Sequence, residues 1–344
     1  MKDFQETTYL KEGFDLTAHR PVVASLKGMV TSAHDASSMA GARMLLQGGN
    51  AADAVIATAA ALNVVEPYMS GLGGIGFLVM SSSYGQERKV LNFSGLVPEK
   101  AVPEAFSPET HTIGTRCPLI PGNPAGWLEI LEKYGSLPKE KVFGPAIELA
   151  EHGYIVSELD ERFFEANEER LSRFPTSKKT FMPDGKPMKA GEILRQPDLA
   201  RSYKVLAEHG ADGFYRGEIA EEIVRFMKEQ QGLLTLNDLD SYKPRWEEPI
   251  STKYRGYDII TPAPNCNAFQ VLETLNILEG FCSGWSIGDL NQDSILNILD
   301  VVQLVNIILG TNNPSDFQLE IGDLNQDELL NIQDIIILLN LILN

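Results

Sequence analysis

The sequence predicts an α/β body joined to a small, duplicated all-α domain. Helical and strand-like segments are mixed between residues 21 and 281. Composition then changes abruptly at Cys282-Ser283-Gly284. Beyond that point Gly288-Asp289-Leu290-Asn291-Gln292-Asp293 returns in full as Gly322-Asp323-Leu324-Asn325-Gln326-Asp327, an internal duplication with a period of 34 residues. The expected organisation is a polar lead-in over 1–20, a body over 21–281 and a terminal module over 282–344.

The elements follow in order. Val22-Val23 opens a strand-like run that Gly28 breaks, and Ala36 to Gln47 has helical spacing stopped by Gly48-Gly49. Asn50 is the expected N-cap of a helix from Ala51 to Val64, apolar on all sides and therefore buried. A glycine-rich stretch, Ser70 to Gly76, leads into a strand over Phe77–Met80, and a turn at Tyr84-Gly85 leads to another over Val90–Phe93. Helical patterns dominate from Gly126 to Gln230, a single strand-like run covers Tyr254 to Ile260, and Val271 to Leu278 is helical again.

Composition bounds what such a chain does. Of 344 residues (37.9 kDa), 43% are hydrophobic and 22% charged, ordinary for a soluble globular protein. The net charge of −18 argues against nucleic acid or anionic membrane as partners, because a phosphate surface would repel it. No stretch approaches the roughly 18 apolar residues of a membrane span. Three cysteines (Cys117, Cys266, Cys282) without ligand spacing argue against a disulfide framework. Met1 to Phe14 lacks an apolar signal-peptide core, so the chain as written reads as cytoplasmic.

The charge is concentrated. From Trp285 to Asn344 there are nine acidic residues and no Lys or Arg. A region so acidic, yet rich in apolar runs, is expected to be built around cations. Each repeat reads D-x-N-x-D-x-x-x-N-x-x-D. In loop 289–300 the side chains are Asp289, Asn291, Asp293, Asn297 and Asp300; in loop 323–334 they are Asp323, Asn325, Asp327, Asn331 and Asp334. Alternating oxygen ligands, with the carbonyls of Ile295 and Leu329 at position 7, suit one calcium ion per loop better than magnesium, which demands a tighter octahedron. Two departures from the EF-hand stand out: Asp at position 12, and Ser294 or Glu328 where Gly is usual at position 6. An apolar helix is expected after each loop (Val301–Leu309, Ile335–Leu343), with no clear helix before it.

This duplicated loop-plus-helix unit, from about Gly288 to Asn344, resembles the type I dockerin module. The resemblance implies two structural calcium ions, a cohesin-type partner and an exported protein. At the recognition positions stand Ile298-Leu299 and Ile332-Gln333 rather than the usual Ser/Thr pairs, and a fold-stabilising role competes with docking.

In the body, Gly71-x-Gly73-x-x-Gly76 matches a dinucleotide fingerprint only by letter. It follows a helix and opens a strand, the reverse of what that site requires. A turn that lets backbone approach backbone, or a substrate, fits better. Taken whole, several segments resemble the large subunit of the γ-glutamyltransferases, in order and from about Pro21 to Phe281. They are Gly48-Gly49-Asn50-Ala51-Ala52-Asp53-Ala54, Asn63-Val64-Val65-Glu66-Pro67, Ser70 to Phe77, Pro121-Gly122-Asn123-Pro124-Ala125-Gly126-Trp127, His152-Gly153-Tyr154, Gly213-Phe214-Tyr215-Arg216-Gly217 and Tyr254-Arg255-Gly256-Tyr257.

That resemblance implies an N-terminal-nucleophile hydrolase of αββα architecture, present here in part. In the family, self-cleavage exposes a Thr whose hydroxyl attacks a γ-glutamyl amide, with its own α-amino group as base. The matching region stops at Phe281, before that nucleophile, and Thr7-Thr8 precedes it. No catalytic residue is therefore assigned. The expectation is a chain inactive alone that requires a small-subunit-like partner, or a non-catalytic scaffold anchored by the calcium module. The family's carboxylate-clamping Arg is also missing from Asn92-Phe93-Ser94-Gly95-Leu96-Val97-Pro98, where Ser94 or Leu96 takes its place and Arg116 is the nearest substitute. His19, His34, His111, His152 and His209 share no catalytic pattern, and Asp53 and Glu66 read as structural residues at helix ends.

Overall fold

The computed structural model describes residues 24–82, 87–108, 110, 112–282, 287–293, 295–325 and 327–343. The lead-in over 1–20, Thr7-Thr8, His19, Val22-Val23, the Tyr84-Gly85 turn, His111, Ser283-Gly284 and Ser294 lie outside the described residues.

In chain order the elements begin with helices α1 (Asp35–Leu46) and α2 (Ala51–Val65) and strands β1 (Gly76–Ser82) and β2 (Glu87–Phe93). Next come α3 (Asn123–Tyr134), α4 (Lys139–His152), β3 (Tyr154–Ile155), α5 (Glu158–Ala166), α6 (Glu168–Ser172), α7 (Pro175–Phe181) and β4 (Ile193–Leu194). Then follow α8 (Pro197–Tyr215), α9 (Glu218–Glu229), α10 (Leu236–Ser241), β5 (Arg245–Glu247), β6 (Ile250–Tyr254), β7 (Tyr257–Thr261) and α11 (Ala268–Cys282). The last three are α12 (Ile298–Ile308), α13 (Asp316–Gly322) and α14 (Ile332–Leu343). The chain divides into two compact units: the described residues up to Gly76 with Phe93–Pro244, and Phe77–Asn92 with Arg245–Asn344.

The first unit is helical and centred on α2. Asn50 caps α2 as its sequence predicts, accepting from the Ala52 and Asp53 N–H groups while the Asp53 carboxylate accepts from the Asn50 N–H. Its Ala- and Val-rich faces are buried, including Ile56, Ala57, Ala60, Ala61 and Val64. Helix α1 approaches closely at Gly41, where a Cβ would stand 2.1 Å from Thr58 Oγ1. Tyr203 of α8, wholly buried, hydrogen-bonds the Ala60 carbonyl at 3.1 Å and Asn63 Oδ1 at 3.2 Å.

In the second unit β1, β2 and β5 form a sheet in that order, with β2 and β5 antiparallel in the register Val90↔Glu247, Leu91↔Trp246 and Asn92↔Arg245. The single strand expected over Tyr254–Ile260 is instead a hairpin. The chain reverses at Arg255 (φ 49°) and Gly256 (φ 81°), and Tyr254 pairs with Tyr257 across the turn. Two successive positive φ values match the right-handed twist of the flanking strands, and Gly256 supplies one without strain.

Residues 287–343 place a helix after each loop, as expected. A core of Leu290, Val301, Leu304, Ile307, Ile321 and Leu338 joins residues from both repeats. The expectation of no preceding helix fails for the second loop, because α13 leads into it. Ser315 and Gln318 form a capping box that starts α13, a signal present in the sequence as S-x-x-Q.

Candidate functional site

The glycine-rich turn is a backbone-on-backbone junction. Gly74 donates to the Gly71 carbonyl at 2.9 Å, and its own carbonyl accepts from the N–H groups of Gly122 (2.8 Å) and Asn123 (2.9 Å). Asn123 Nδ2 adds a bond to the Gly71 carbonyl at 2.8 Å. A Cβ on Gly74 would lie 2.8 Å from that nitrogen, so only glycine admits this contact.

Phe93 sits in a cradle from which side chains have been removed. A Cβ on Gly76 would meet its ring at 2.7 Å, one on Gly126 at 2.3 Å, and one on Gly122 its carbonyl oxygen at 1.9 Å. Tyr215 then clamps the Pro121–Ala125 segment, its hydroxyl donating to the Pro121 carbonyl at 2.7 Å and accepting from the Ala125 N–H at 3.2 Å. Burial holds that phenol neutral by raising its pKa above the ordinary tyrosine value. The motif residues from Gly71 to Gly76, from Pro121 to Trp127 and at Tyr215 are thus one packed assembly.

Asp53 organises a second junction. The wholly buried carboxylate accepts from the Ser136 hydroxyl at 2.6 Å and from the Asn50, Ser136 and Leu137 N–H groups at 2.9–3.2 Å. Burial pushes its pKa up, and these hydrogen bonds together outweigh burial and hold it below the usual aspartate value. Its role is structural.

None of the other candidates forms a catalytic set among the described residues. Arg116 is engaged by backbone, donating from Nη1 to the Ala105 carbonyl at 2.6 Å and from Nε to that of Gln231 at 3.2 Å. Ser94 is buried and Leu96 exposed. His34 caps α1 through Nδ1, which accepts from the Ala36 N–H at 3.1 Å; His152 lies in the last turn of α4, and His209 is exposed on α8.

In the two terminal loops the oxygen side chains hold the loop backbone. Asp289 accepts from the Asp293 N–H at 3.2 Å, Asn291 Oδ1 from the same group at 2.8 Å and Asp293 from the Ile295 N–H at 2.8 Å. Asp300, wholly buried, takes the N–H groups of Asn291 (3.2 Å) and Asn297 (2.9 Å). The second loop repeats this. Asp323 accepts from Asp327 and Glu328, Asn325 from Asp327, Asp327 from Leu329, and buried Asp334 from Leu324, Asn325 and Asn331.

Among the described residues no three His, Cys, Asp or Glu side chains meet as a ready metal cluster. The donor chemistry nevertheless fits a hard cation. Amide N–H groups take the positive role opposite oxygens of the ligand set. Asn297 Nδ2 donates to the Ile295 carbonyl (2.9 Å), Asn331 Nδ2 to that of Leu329 (3.2 Å), and Asn325 Nδ2 to Asp327 Oδ2 (2.9 Å). The oxygens of the same amides accept from backbone, Asn297 Oδ1 from the Leu299 N–H (2.8 Å), Asn331 Oδ1 from that of Gln333 (2.8 Å) and Asn325 Oδ1 from that of Asp327 (3.0 Å).

A γ-glutamyltranspeptidase family model matches residues 37–306. The chain belongs to the γ-glutamyltranspeptidase family. It is 36% identical over 278 residues to the glutathione hydrolase proenzyme of Escherichia coli, covering 78% of this chain and 48% of that protein. To the acylase ACY 1 proenzyme of Pseudomonas sp. (strain SE83) it is 33% identical over 304 residues, 84% of this chain and 54% of the relative. It therefore spans about half the length of the curated relatives it matches.

Among solved structures, Helicobacter pylori γ-glutamyltranspeptidase superposes with a TM-score of 0.73 at 34% identity, over 76% of this chain and 77% of that one. Cephalosporin acylase from Bacillus halodurans gives 0.70 at 36% identity, over 77% and 51%. The mixed helix and strand architecture is thus that of the γ-glutamyltranspeptidase-type N-terminal-nucleophile hydrolases. The family match does not stop at the expected body boundary of residue 281: it runs through the whole first terminal loop, 289–300, and into α12, ending at residue 306.

Proposed function

We propose that this chain supplies the large-subunit part of a γ-glutamyl-amide-cleaving centre. The supporting observation is that the motifs shared with the γ-glutamyltranspeptidases assemble around Phe93 and the Gly71–Gly76 turn. Chemistry at that centre needs a Thr-bearing segment, on this polypeptide or another, to pair with these residues. The Thr hydroxyl adds to the amide carbonyl and its proton passes to the Thr α-amino group, which hands it to the amide nitrogen as the C–N bond breaks, so the amine leaves neutral and an ester remains. Water or an amino acid then takes the glutamyl group from the ester. With no guanidinium between Asn92 and Pro98, the glutamyl α-carboxylate loses its family clamp, and preference for γ-glutamyl over plain acyl amides should narrow.

The test is p-nitroaniline release from γ-glutamyl-p-nitroanilide by the 344-residue chain, alone and with a family small subunit. Release only in the second case supports the proposal. Release by the chain alone reveals a nucleophile that this reading does not assign.

A second reading concerns residues 285–344: a dockerin-like module with two structural calcium ions and a cohesin-type partner. Asp289, Asn291, Asp293, Asn297, Asp300 and the Ile295 carbonyl would hold one ion. Asp323, Asn325, Asp327, Asn331, Asp334 and the Leu329 carbonyl would hold the other. Each ion would supply charge neutralisation to a segment with no Lys or Arg. Exposed Ile298, Leu299 and Val302 on α12, with Ile332 and Ile336 on α14, favour a protein partner. Calcium-dependent capture of a purified cohesin domain tests this, and binding that persists in EDTA would refute it.

A further inference from the structure

A cleft of about 350 Å³ opens in the first unit where the Pro67-Tyr68 turn meets α5, α6 and α7. That is the size of a site for a small organic molecule. Rings form much of its wall. Tyr68 and Phe163 stack with centroids 4.1 Å apart and planes at 9°, and both line the cleft together with Phe174 and Phe181. Buried Phe164 braces them, edge-on to Tyr68 at 6.3 Å and tilted on Phe181 at 5.4 Å. The rings fix one another, yet Tyr68, Phe163, Phe174 and Phe181 are only half-buried. The apolar surface they leave open is what a guest would cover.

The cleft carries one formal charge, and it is positive. Arg170 of α6 is the only Lys, Arg, His, Asp or Glu among the described residues that line it. Its guanidinium pairs with no described carboxylate. One long hydrogen bond, from Nη1 to Asn167 Oδ1 at 3.4 Å, leaves its other donors open. Arg173, on the turn that follows, is by contrast paired with Glu169. Ser177 of α7 also lines the cleft, and its hydroxyl bonds to no described residue. The acidic residues nearest in sequence to Tyr68 and Phe163, Glu66 and Asp160, are buried and lie outside the lining. A ring-walled cleft whose sole charge is cationic runs against the net charge of −18.

This lining discriminates among guests. Arg170 repels a cation, and a plain hydrocarbon uses neither the guanidinium nor the Ser177 hydroxyl. A phosphate dianion calls for more donors than one guanidinium and one hydroxyl supply. A carboxylate matches the guanidinium fork, and an aryl group attached to it packs against the rings. We propose that the cleft binds a small aromatic carboxylate, its ring among Tyr68, Phe163, Phe174 and Phe181 and its carboxylate on Arg170. The guest would also brace the turn that leads into the glycine-rich segment, in which the Glu66 carbonyl accepts from the Met69 (3.0 Å) and Ser70 (3.1 Å) N–H groups. The site does not depend on the proposed amide chemistry, and its test needs no turnover.

The experiment is a ligand-observed NMR titration of the full chain with 3-phenylpropanoate. Saturable binding is expected with Kd of about 1 mM, ordinary for so small a ligand. The neutral 3-phenylpropanamide should bind at least about fivefold more weakly, because the charge-assisted hydrogen bonds are lost. Arg170→Gln should weaken the carboxylate by a similar factor and leave the amide unchanged. Arg170 is exposed on its helix, so the substitution should leave the melting curve in place. Ser177→Ala should weaken the carboxylate less than Arg170→Gln does. Equal affinity for acid and amide would overturn the proposal, as would the absence of saturation at about 20 mM. Carboxylate binding that survives Arg170→Gln undiminished would also overturn it, since the ligand would then sit elsewhere.

Discussion

Gly288 of the first repeat faces Leu338 of the second: a Cβ on Gly288 would stand 2.6 Å from Leu338 Cδ1. The relation recurs with the repeats exchanged. Gly288 is flanked by Leu296, Leu338 and Leu324, and Gly322 by Leu330, Leu304 and Leu290, each the other's counterpart 34 residues away. Gly288 also has φ +93°, a region that side chains avoid. Gly288→Ala should therefore destabilise the module by about 2 kcal/mol or more. Gly322→Ala, whose nearest neighbour would lie at 3.1 Å, should cost less. Urea denaturation of the two variants measures the difference.

Metal removal gives a second outcome. With calcium bound as proposed, EDTA should lower the unfolding temperature of the α12–α14 segment, because ion binding is part of its folding free energy. Asp300→Asn and Asp334→Asn should each weaken calcium at least tenfold, read by isothermal titration. Identical melting curves with calcium and EDTA would contradict the reading.

Glu328 stands at loop position 6 with φ +64°, where calcium loops ordinarily place glycine. Left-handed backbone costs a non-glycine residue about 1 kcal/mol or more. Glu328→Gly is therefore expected to stabilise the module by about 1 kcal/mol, visible as a higher denaturation midpoint.

The Phe93 cradle predicts a severe effect from one methyl group. Gly122→Ala would place Cβ 1.9 Å from the Phe93 carbonyl oxygen, a backbone atom that cannot yield without moving β2 or α3. A loss of about 3 kcal/mol is expected, at the upper end of overpacking costs. Gly71→Ala, whose Cβ meets nothing within 4 Å, should be nearly neutral. Paired melting curves test the contrast.

Asp53 sets a pH dependence. Burial raises its pKa, but the Ser136, Asn50 and Leu137 donors prevail and depress it. A depressed carboxyl contributes stability above its unfolded value of about 3.9, and that contribution is lost as pH falls through the lower folded value. Asp53→Asn should thus cost about 2 kcal/mol at neutral pH. The gap from the parent should narrow as pH falls below about 4. A gap that widens in acid would reverse the assignment.

Local signals made much of this fold legible in the sequence. Asn50 followed by Asp53 announces the start of α2, and the run of Ala and Val behind it announces burial. The repeated hexapeptide reveals both loops. What stayed hidden depends on partners remote in sequence or on reading a turn. Tyr254–Ile260 looks like one strand until Arg255-Gly256 is taken as a two-residue reversal. Arg116, the nearest substitute in sequence for the missing clamp, has its guanidinium on the Ala105 and Gln231 carbonyls, partners that no motif names.

The exchanged glycine and leucine contacts mean that neither repeat owns a complete interior. Leu304 seals the space beside Gly322, and Leu338 the space beside Gly288, so one loop cannot settle while its twin is unformed. If both loops bind calcium as proposed, occupying either would prepay part of the ordering needed by the other, and the two ions should bind with positive cooperativity. A lesion confined to one loop would be felt as lost affinity at both.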